Sequence, residues 1–297
     1  MRELTVRLSG GLGNQLFQYA AGRAVAIERS ARLVLDARSF RRDRLRRFAL
    51  GRYPITAERR DLAGWRRAVT ECPGLWRLAR ATGFAPRIGG TRFLFDRLRG
   101  FDGRIHESCD ELVLTGYWQD ERYFAAVNDV LAREFDLSEI VDPATRRLGT
   151  ELRSSIALAV HVRRGDFARS DSPHGTCSPS YYRRAVAAAF AERSFDRIVV
   201  FSDDPAWARE LPLDRAFETM PRDPARGDDA DLWLMSQCGG FVIANSSYSW
   251  WAARLAELRA GPTGTLVVCP ARWYAPHAGP FPHPAPERWR HVAADDA

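Results

Sequence analysis

The sequence predicts an α/β protein with parallel sheets, because short apolar runs alternate with segments of helical spacing. Its 297 residues are 45% hydrophobic and 27% charged. This ordinary globular balance excludes disordered, collagen-like and coiled-coil proteins. The predicted strands are 4–8, 33–35, 112–115, 156–162, 197–201, 241–244 and 266–269, and the clearest helices are 14–28, 181–192, 231–238 and 249–258.

The length fits two domains, each large enough to bury its own core. The predicted boundary falls at 150/151, where a polar stretch containing Pro143 precedes the strand 156–162. The first domain, 1–150, is interrupted at about 40–110 by an arginine-, glycine- and tryptophan-rich stretch with weak periodicity, which predicts an irregular insertion. The second domain, 151–297, ends in a tail that we expect to pack back as an ordered extension.

Positive charge is concentrated in the first hundred residues. All 44 basic residues are arginine; residues 1–100 hold 22 of them against eight acidic residues, net +14, and the remainder is net −7. A GC-rich genome accounts for the absence of lysine. The functional alternative is an electropositive face for anionic substrates or for a membrane surface, with residues 38–47 as its densest part.

Cysteine usage and hydropathy bear on localisation. Five widely spaced cysteines favour reduced core thiols over a disulfide framework or a structural zinc site. No apolar run approaches the roughly 20 residues that span a bilayer. The amino terminus enters a strand pattern without a signal-peptide core. The sequence therefore predicts a cytoplasmic protein, and peripheral attachment to the inner membrane face stays open.

Three strands of the second half end in polar clusters. These clusters are His161–Asp166, Ser202–Asp204 and Asn245–Ser249. In an open parallel sheet, ligands bind beyond the carboxyl ends of the strands. We therefore expect these three clusters to lie along one edge and to form the binding site.

Two arginines follow the first of these strands. Because side chains alternate along a strand, Arg163 and Arg164 point to opposite faces, so one faces the ligand while the other supports it. A guanidinium offers planar, paired donors that match a phosphate; the alternative is a pair of structural salt bridges. Asp166 either orients an arginine or acts as a base, and the orienting role is favoured.

The third cluster stands directly before an amphipathic helix. Ser246, Ser247 and Ser249 fit as helix N-caps, the common role of serine there. Backbone N–H groups at such a helix end also bind anions. With Arg163 on the adjacent strand, a diphosphate site is the favoured hypothesis for Asn245 and these serines.

A glycine-rich turn, Ser9–Gln15, links the first strand to a helix. Leu16 occupies the last glycine position of a dinucleotide-binding motif, and no phosphate-loop lysine follows. Dinucleotide binding and an NTPase phosphate loop are therefore both disfavoured.

The carboxylates of Asp229 and Asp231, and of Asp203 and Asp204, suggest a metal site only weakly. Asp231 is equally explained as a cap of the helix 232–238, and Asp203 is placed to accept hydrogen bonds from a base or ribose.

Taken together, these motifs resemble the short bacterial form of the alpha-1,2-fucosyltransferase family, the glycosyltransferase family 11 type. Order and spacing agree over about residues 8–275. The matching segments are Gly10–Ala20, Thr115–Gln119 with Arg122–Phe124, Val160–Asp166, Val200–Asp204, Asp231–Cys238 and Ile243–Ala253.

The resemblance implies a GT-B-like fold, with two Rossmann-type α/β domains facing a cleft. It implies transfer of L-fucose from GDP-fucose to the 2-hydroxyl of a terminal galactoside, with inversion, no required metal and no cofactor besides this co-substrate. The acceptor would belong to surface-glycan synthesis of the O-antigen or capsule type.

The resemblance also implies roles for individual residues. Arg163 would bind the diphosphate. Because the acceptor hydroxyl must lose a proton, His161 and Asp166 are the candidate bases, and a dissociative path without a strong base stays open. The first domain would serve the acceptor and the second GDP-fucose. The remaining donor-binding candidates are Gly11, Gly13 and Asn14 in the first domain, and Arg164, Ser202, Asp203, Asn245, Ser246, Ser247 and Ser249 in the second.

Two alternatives remain. One is a glycosyltransferase with a different donor or linkage, with metal held by Asp229 and Asp231. The other is a basic binding protein that uses its first hundred residues on nucleic acid or anionic lipid, which would leave the polar strand ends of the second half without a role. A lipid-linked glycan at the membrane is an additional predicted partner; nucleic acid is not.

Overall fold

The structure is a computed structural model that describes residues 2–168, 174–279 and 281–294. The chain forms two compact units, Met1–Phe135 and Asp136–Ala297. Each unit contains one six-stranded sheet, and all but one of the strand pairs are parallel. This confirms the α/β class with parallel sheets.

In the first unit the strands are β1 (Glu3–Arg7), β2 (Arg32–Asp36), β3 (Glu58–Arg59), β4 (Arg87–Ile88), β5 (Thr91–Phe95) and β6 (Glu111–Thr115), and the α-helices are α1 (Leu12–Glu28), α2 (Gly64–Glu71), α3 (Pro73–Thr82) and α4 (Asn128–Glu134). The strand order is β3-β2-β1-β6-β5-β4, and only β4 runs antiparallel to its neighbour. In the central strand β1, Leu4, Thr5 and Val6 are all buried. Because successive side chains point to opposite faces of a strand, the core covers both faces of the sheet.

In the second unit the strands are β7 (Ala157–Val162), β8 (Arg197–Ser202), β9 (Glu218–Thr219), β10 (Gly240–Val242), β11 (Leu266–Pro270) and β12 (Arg290–Val292), and the α-helices are α5 (Pro143–Ser154), α6 (Pro179–Glu192), α7 (Pro205–Arg209), α8 (Gly227–Ser236) and α9 (Ser247–Ala260). Their order is β12-β11-β10-β7-β8-β9, parallel throughout. Because β7, β8 and β10 are parallel neighbours, the three polar clusters that follow them lie along one edge, as the sequence predicted.

The boundary between the units lies at 135/136 rather than at the predicted 150/151. Helix α5 belongs to the second unit, because it packs on α8. Gly149 lies so close to the Trp233 ring that an added Cβ would come within 2.6 Å of it. The Trp233 indole N–H also donates to Asp136, at 3.3 Å. These long-range contacts leave no local signal in the sequence.

The stretch at about 40–110, predicted as an irregular insertion, instead contributes to the sheet. Strand β5 pairs with β6 and is buried along its whole length. This strand is inconspicuous in the sequence because its apolar run is only three residues long, 93–95, and follows the polar Thr91 and Arg92. The Arg92 guanidinium is only 6% exposed and is neutralised by Glu107, at 2.7 Å.

The carboxyl-terminal tail packs back onto the second unit, and one buried carboxylate holds it there. Glu257 of α9 accepts from the Trp289 indole at 2.8 Å and from Arg288 at 2.6 Å. On its own helix it pairs with Arg254 at 2.9 Å, and its side chain is 1% exposed. Strand β12 then completes the sheet beside β11.

Among the residues the structure describes, none of the helices has the length and apolar character needed to cross a membrane.

Candidate active site

Arg163 stands directly after β7 and lies between two carboxylates. Its Nη2 is 2.6 Å from Asp166 Oδ1, and its Nη1 is 3.0 Å from Asp203 Oδ2. The guanidinium carbon also lies 5.4 Å from the centre of the Phe167 ring. The side chain remains 22% exposed. A guanidinium has five N–H donors, so these two contacts orient Arg163 and leave donors for a further anion.

Arg164 has a different set of partners, as expected for neighbours with opposed side chains. Its backbone N–H donates to Asp203 Oδ1 at 2.9 Å. Its Nε lies 3.3 Å from Asp204 Oδ2, and its guanidinium lies 4.3 Å from the centre of the Trp207 ring. Asp203 therefore joins the two arginines, with one carboxylate oxygen on each, and fixes the turn between them.

Gly165 explains why this turn needs a residue without a side chain. A Cβ at this position would lie 2.6 Å from Asp203 Oδ2, closer than any normal contact. The same oxygen bonds to Arg163. The absence of a side chain at Gly165 therefore leaves room for the Asp203 carboxylate that orients Arg163.

We expect Gly165→Ala to lower catalytic activity at least about tenfold, because the methyl group displaces the Asp203 carboxylate that orients Arg163. The change in unfolding temperature should be small, since the site is partly exposed. Gly74→Ala is the matched control, because a Cβ there meets only Cys72 at an ordinary 3.9 Å. Steady-state kinetics and thermal melts check this; full activity of Gly165→Ala would contradict it.

His161, one of the two predicted bases, lies inside the second unit. It is 4% exposed, and its ring centre lies 5.6 Å from that of Tyr248. Within the described residues its Nδ1 has no hydrogen-bond partner. Burial, with a contribution from Arg163, lowers the pKa of His161 to about 3. A buried imidazole with a lowered pKa is a poor proton acceptor near neutral pH, and this argues against the base role that the sequence predicted for His161.

The lowered pKa of His161 predicts acid sensitivity of folding. Below its ordinary pKa of 6.5 the unfolded chain binds a proton that the folded chain does not bind until the pH nears 3. Stability is therefore lost as pH falls through this window, by about 2 kcal/mol between pH 7 and pH 5. His161→Phe should lose about 2 kcal/mol less than the parent protein over this interval in urea titrations. Substitution of the exposed His277 should leave the loss unchanged; equal losses in parent and His161→Phe would contradict the prediction.

The cluster Asn245–Ser249 is mostly internal. The Asn245 amide donates to the backbone oxygens of His174 and Trp273, at 2.9 and 3.0 Å. Ser249 is fully buried, and its hydroxyl bonds to the carbonyl of Ala244. The side chains of Asn245 and Ser249 thus hold nearby backbone, and the predicted donor-binding role of this turn, which includes its backbone N–H groups, stays a prediction.

The two serines at the start of α9 have different roles. Ser246 is the N-cap, and its hydroxyl accepts from the backbone N–H of Tyr248 at 3.3 Å. Ser247, the first helical residue, is half-buried. Of this cluster, Ser247 and the helix end itself are therefore best placed to meet an anion.

The cluster after β8 is organised by its own hydrogen bonds. The Ser202 hydroxyl accepts from the Asp204 backbone N–H at 2.9 Å. Asp204 in turn caps α7 by accepting from the Trp207 N–H at 3.2 Å. Ser202 is half-buried and shapes the turn that presents Asp203.

The glycine-rich turn of the first unit lies at the carboxyl end of β1. Gly10 has φ +78°, a conformation that favours glycine, and a Cβ there would meet the Asn14 amide at 2.5 Å. Helix α1 begins after Gly11 without a side-chain cap. Asn14 accepts from Gln119 at 2.8 Å. Gly11 and Asn14 are half-buried, and Gly13 is buried.

Two glutamines that the sequence reasoning did not single out hold this turn. Gln15 donates to the Gly10 carbonyl at 3.0 Å and accepts from the Ala49 N–H at 2.9 Å. Gln18 accepts from the Ser9 N–H at 3.0 Å and donates to the Gly116 carbonyl at 2.9 Å. Both side chains are fully buried. The sequence feature that could have identified them is the three-residue spacing of two amide side chains in a mostly apolar helix.

The alternative of a metal site gains no geometric support in the described part of the chain, where no group of three or more histidine, cysteine or acidic side chains could hold an ion. Asp231 does not cap a helix, because α8 already begins at Gly227. Its carboxylate pairs instead with Arg226 Nε at 2.5 Å.

Comparison with known proteins identifies the class. A family model described as glycosyl transferase family 11 matches residues 100–276. The chain is 30% identical to an alpha-1,2-colitosyltransferase of Escherichia coli, over 97% of this chain and 98% of that protein. It is 28% identical to the O-antigen biosynthesis glycosyltransferase WbnK of Escherichia coli, over 90% and 94%.

Solved structures bear out the fold. The fucosyltransferase NodZ from Bradyrhizobium superimposes with a TM-score of 0.54 at 13% identity, over 85% of this chain and 93% of that one. The predicted GT-B-like fold, with two Rossmann-type α/β domains, is thereby confirmed. The fold and the matches define a glycosyltransferase. More specifically, the chain belongs to glycosyltransferase family 11.

Proposed function

We propose that this glycosyltransferase transfers L-fucose from GDP-fucose to the 2-hydroxyl of a terminal galactoside, with inversion, during synthesis of an O-antigen type glycan. The alpha-1,2 linkage in the names of its relatives supports the linkage, and the name of WbnK supports the pathway class. Mammalian relatives named galactoside alpha-1,2-fucosyltransferases, 28% identical over about half of this chain, support the donor and the acceptor.

The observation that carries this proposal is the orientation of Arg163 between Asp166 and Asp203. Breaking the bond between sugar and phosphate develops negative charge on the leaving diphosphate. A guanidinium already fixed in place stabilises that charge without reorganising in the transition state. The amino end of α9, at Ser247, adds a favourable dipole. Together they serve in place of a divalent ion, so we propose that no metal is required.

Asp166 is proposed to position Arg163. Its carboxylate already accepts from the guanidinium at 2.6 Å. The acceptor hydroxyl then loses its proton late in a dissociative path, in which the sugar–phosphate bond is largely broken before the new bond forms. The proton passes to the departing diphosphate or to solvent. The donor-binding roles of Arg164 and Asp203 are part of the same proposal, because both residues belong to the network that orients Arg163. Those of Gly11, Gly13 and Asn14 stay predictions, as does contact with a lipid-linked glycan at a membrane.

A second candidate donor is nucleotide-linked colitose, favoured by the name of the relative that is 30% identical. Colitose is fucose without the 3-hydroxyl. The two donors therefore present the same diphosphate to Arg163 and differ by one oxygen on the sugar. A site that hydrogen-bonds this hydroxyl rejects the deoxy sugar strongly, whereas an apolar one discriminates weakly.

Mass spectrometry of reaction mixtures tests the proposal. The purified chain is incubated with lactose in EDTA and with GDP-fucose, GDP-colitose or a UDP-sugar, and Arg163→Ala protein serves as the matched control. We expect addition of one deoxyhexose from GDP-fucose, 2-linked by NMR. Exclusive addition of the dideoxy sugar would establish the second candidate. Activity restored only by Mg²⁺ would refute metal independence, and transfer only from a UDP-sugar would overturn the proposed donor.

A further inference from the structure

The first unit contains a groove of about 800 Å³ lined largely by arginine. It lies at the carboxyl ends of β1 and β2, the end of a parallel sheet at which ligands bind. Glu71 is the one acidic residue among its described lining residues. The arginines that line it are Arg7, Arg38, Arg41, Arg42, Arg67 and Arg77.

Two of these arginines form the inner wall and are held rigidly. Arg7, the last residue of β1, donates to the Thr70 carbonyl at 2.9 Å. Arg38 follows β2, and its side chain is 11% exposed and lies 3.3 Å from Asp36. Burial lowers the pKa of Arg7, which shows that the site brings positive charge out of water. Guanidinium groups that are already held in place lose little side-chain conformational entropy when they bind an anion.

The outer arginines are only partly compensated, and among them Arg41 pairs with Asp61 at 2.5 Å. Glu71 is shared, since it lies 3.4 Å from Arg38 and 3.0 Å from Arg67. Arg42 and Arg77 are exposed, and across the described residues neither side chain has an ion pair or hydrogen bond. The groove therefore concentrates positive charge that its own residues do not neutralise, and a bound anion would relieve the repulsion.

We propose that this groove of the first unit is a binding site for a phosphate or diphosphate group. Planar guanidinium groups on several sides match the tetrahedral oxygens of a phosphate better than a single carboxylate. The volume accommodates a diphosphate with part of the molecule that bears it. All the residues that line the groove belong to the first unit, so the proposal does not depend on which sugar donor the enzyme uses.

Binding of inorganic diphosphate by isothermal titration calorimetry tests the site, with the full chain in an Arg163→Ala background so that the proposed donor site does not contribute. Arg42→Glu/Arg77→Glu should weaken binding by at least about tenfold. Both residues are exposed and unpaired, so the fold should persist, as circular dichroism verifies. Arg133→Glu/Arg147→Glu is the matched control, because these exposed arginines lie outside the groove and the change in net charge is the same.

A second arm distinguishes a soluble phosphate compound from a lipid headgroup. Sedimentation with phosphatidylcholine vesicles, with and without phosphatidylglycerol, measures attachment to anionic lipid. Loss of diphosphate binding in the groove variant alone supports a site for soluble phosphate compounds. Loss of vesicle binding in that variant alone supports the same site with a headgroup as its ligand. Equal losses in groove and control variants, or no binding to either probe, would overturn the proposal.

Discussion

Arg163→Ala is expected to lower the rate of sugar transfer by about a thousandfold, because the guanidinium held by Asp166 and Asp203 stabilises the leaving diphosphate in the transition state. The turnover number should fall more than the affinity for GDP, since the interaction strengthens as the bond breaks. Single-turnover kinetics and GDP titration measure the two effects separately.

Stability should change little in the same variant, by about 1 kcal/mol or less, because the ion pairs of Arg163 are partly exposed. Arg163→Lys keeps the charge but loses the planar pair of donors, and we expect only partial recovery. Arg197→Ala, which removes a surface pair with Glu218 at the far end of β8, is the control and should be fully active. Near-normal transfer by Arg163→Ala would remove this residue from the mechanism.

Glu257→Ala is expected to have the largest effect on folding, a loss of about 3–5 kcal/mol in the free energy of unfolding. The carboxylate is buried and receives hydrogen bonds from Arg254, Arg288 and Trp289. Its removal leaves the buried Arg254 without this counter-charge and detaches the carboxyl-terminal tail from α9. Urea titrations measure the loss, and hydrogen exchange should show increased opening of β12.

The control for this change is Glu192→Ala. Glu192 pairs with Arg290 at 2.8 Å, but both side chains are well exposed, at 38% and 55%. Such a surface pair contributes about 1 kcal/mol or less. Equal losses in the two variants would show that burial does not set the strength of the Glu257 network.

Local patterns were sufficient to predict the parallel sheets and the edge where the polar residues collect. The apolar runs at β1, β7 and β8 are separated by helical spacing, and this alternation needs no long-range information. The same patterns failed at β5, because its apolar run of three residues, 93–95, is too short to stand out after Thr91 and Arg92. The charge of Arg92 is neutralised by Glu107, a partner beyond the strand.

Side-chain roles within the predicted site depended on contacts the sequence does not display. Arg163 and Asp166 were predicted as neighbours, and the structure brings them to 2.6 Å. Asn245 and Ser249 were assigned to the donor, and in the structure their side chains bond to the backbone carbonyls of Trp273 and Ala244. Whether an amide or hydroxyl faces ligand or core is decided by what packs over it.

The sequence by itself determined the fold class, the family resemblance and the presence of an arginine suited to phosphate after β7, because periodicity and motif order are properties of the chain. Only the tertiary structure decided that His161 is buried, which lowers its pKa, that Gly165 makes room for Asp203, and that scattered arginines of the first unit line one groove. Burial and charge compensation arise between segments far apart in the chain, so they exist only once it is folded.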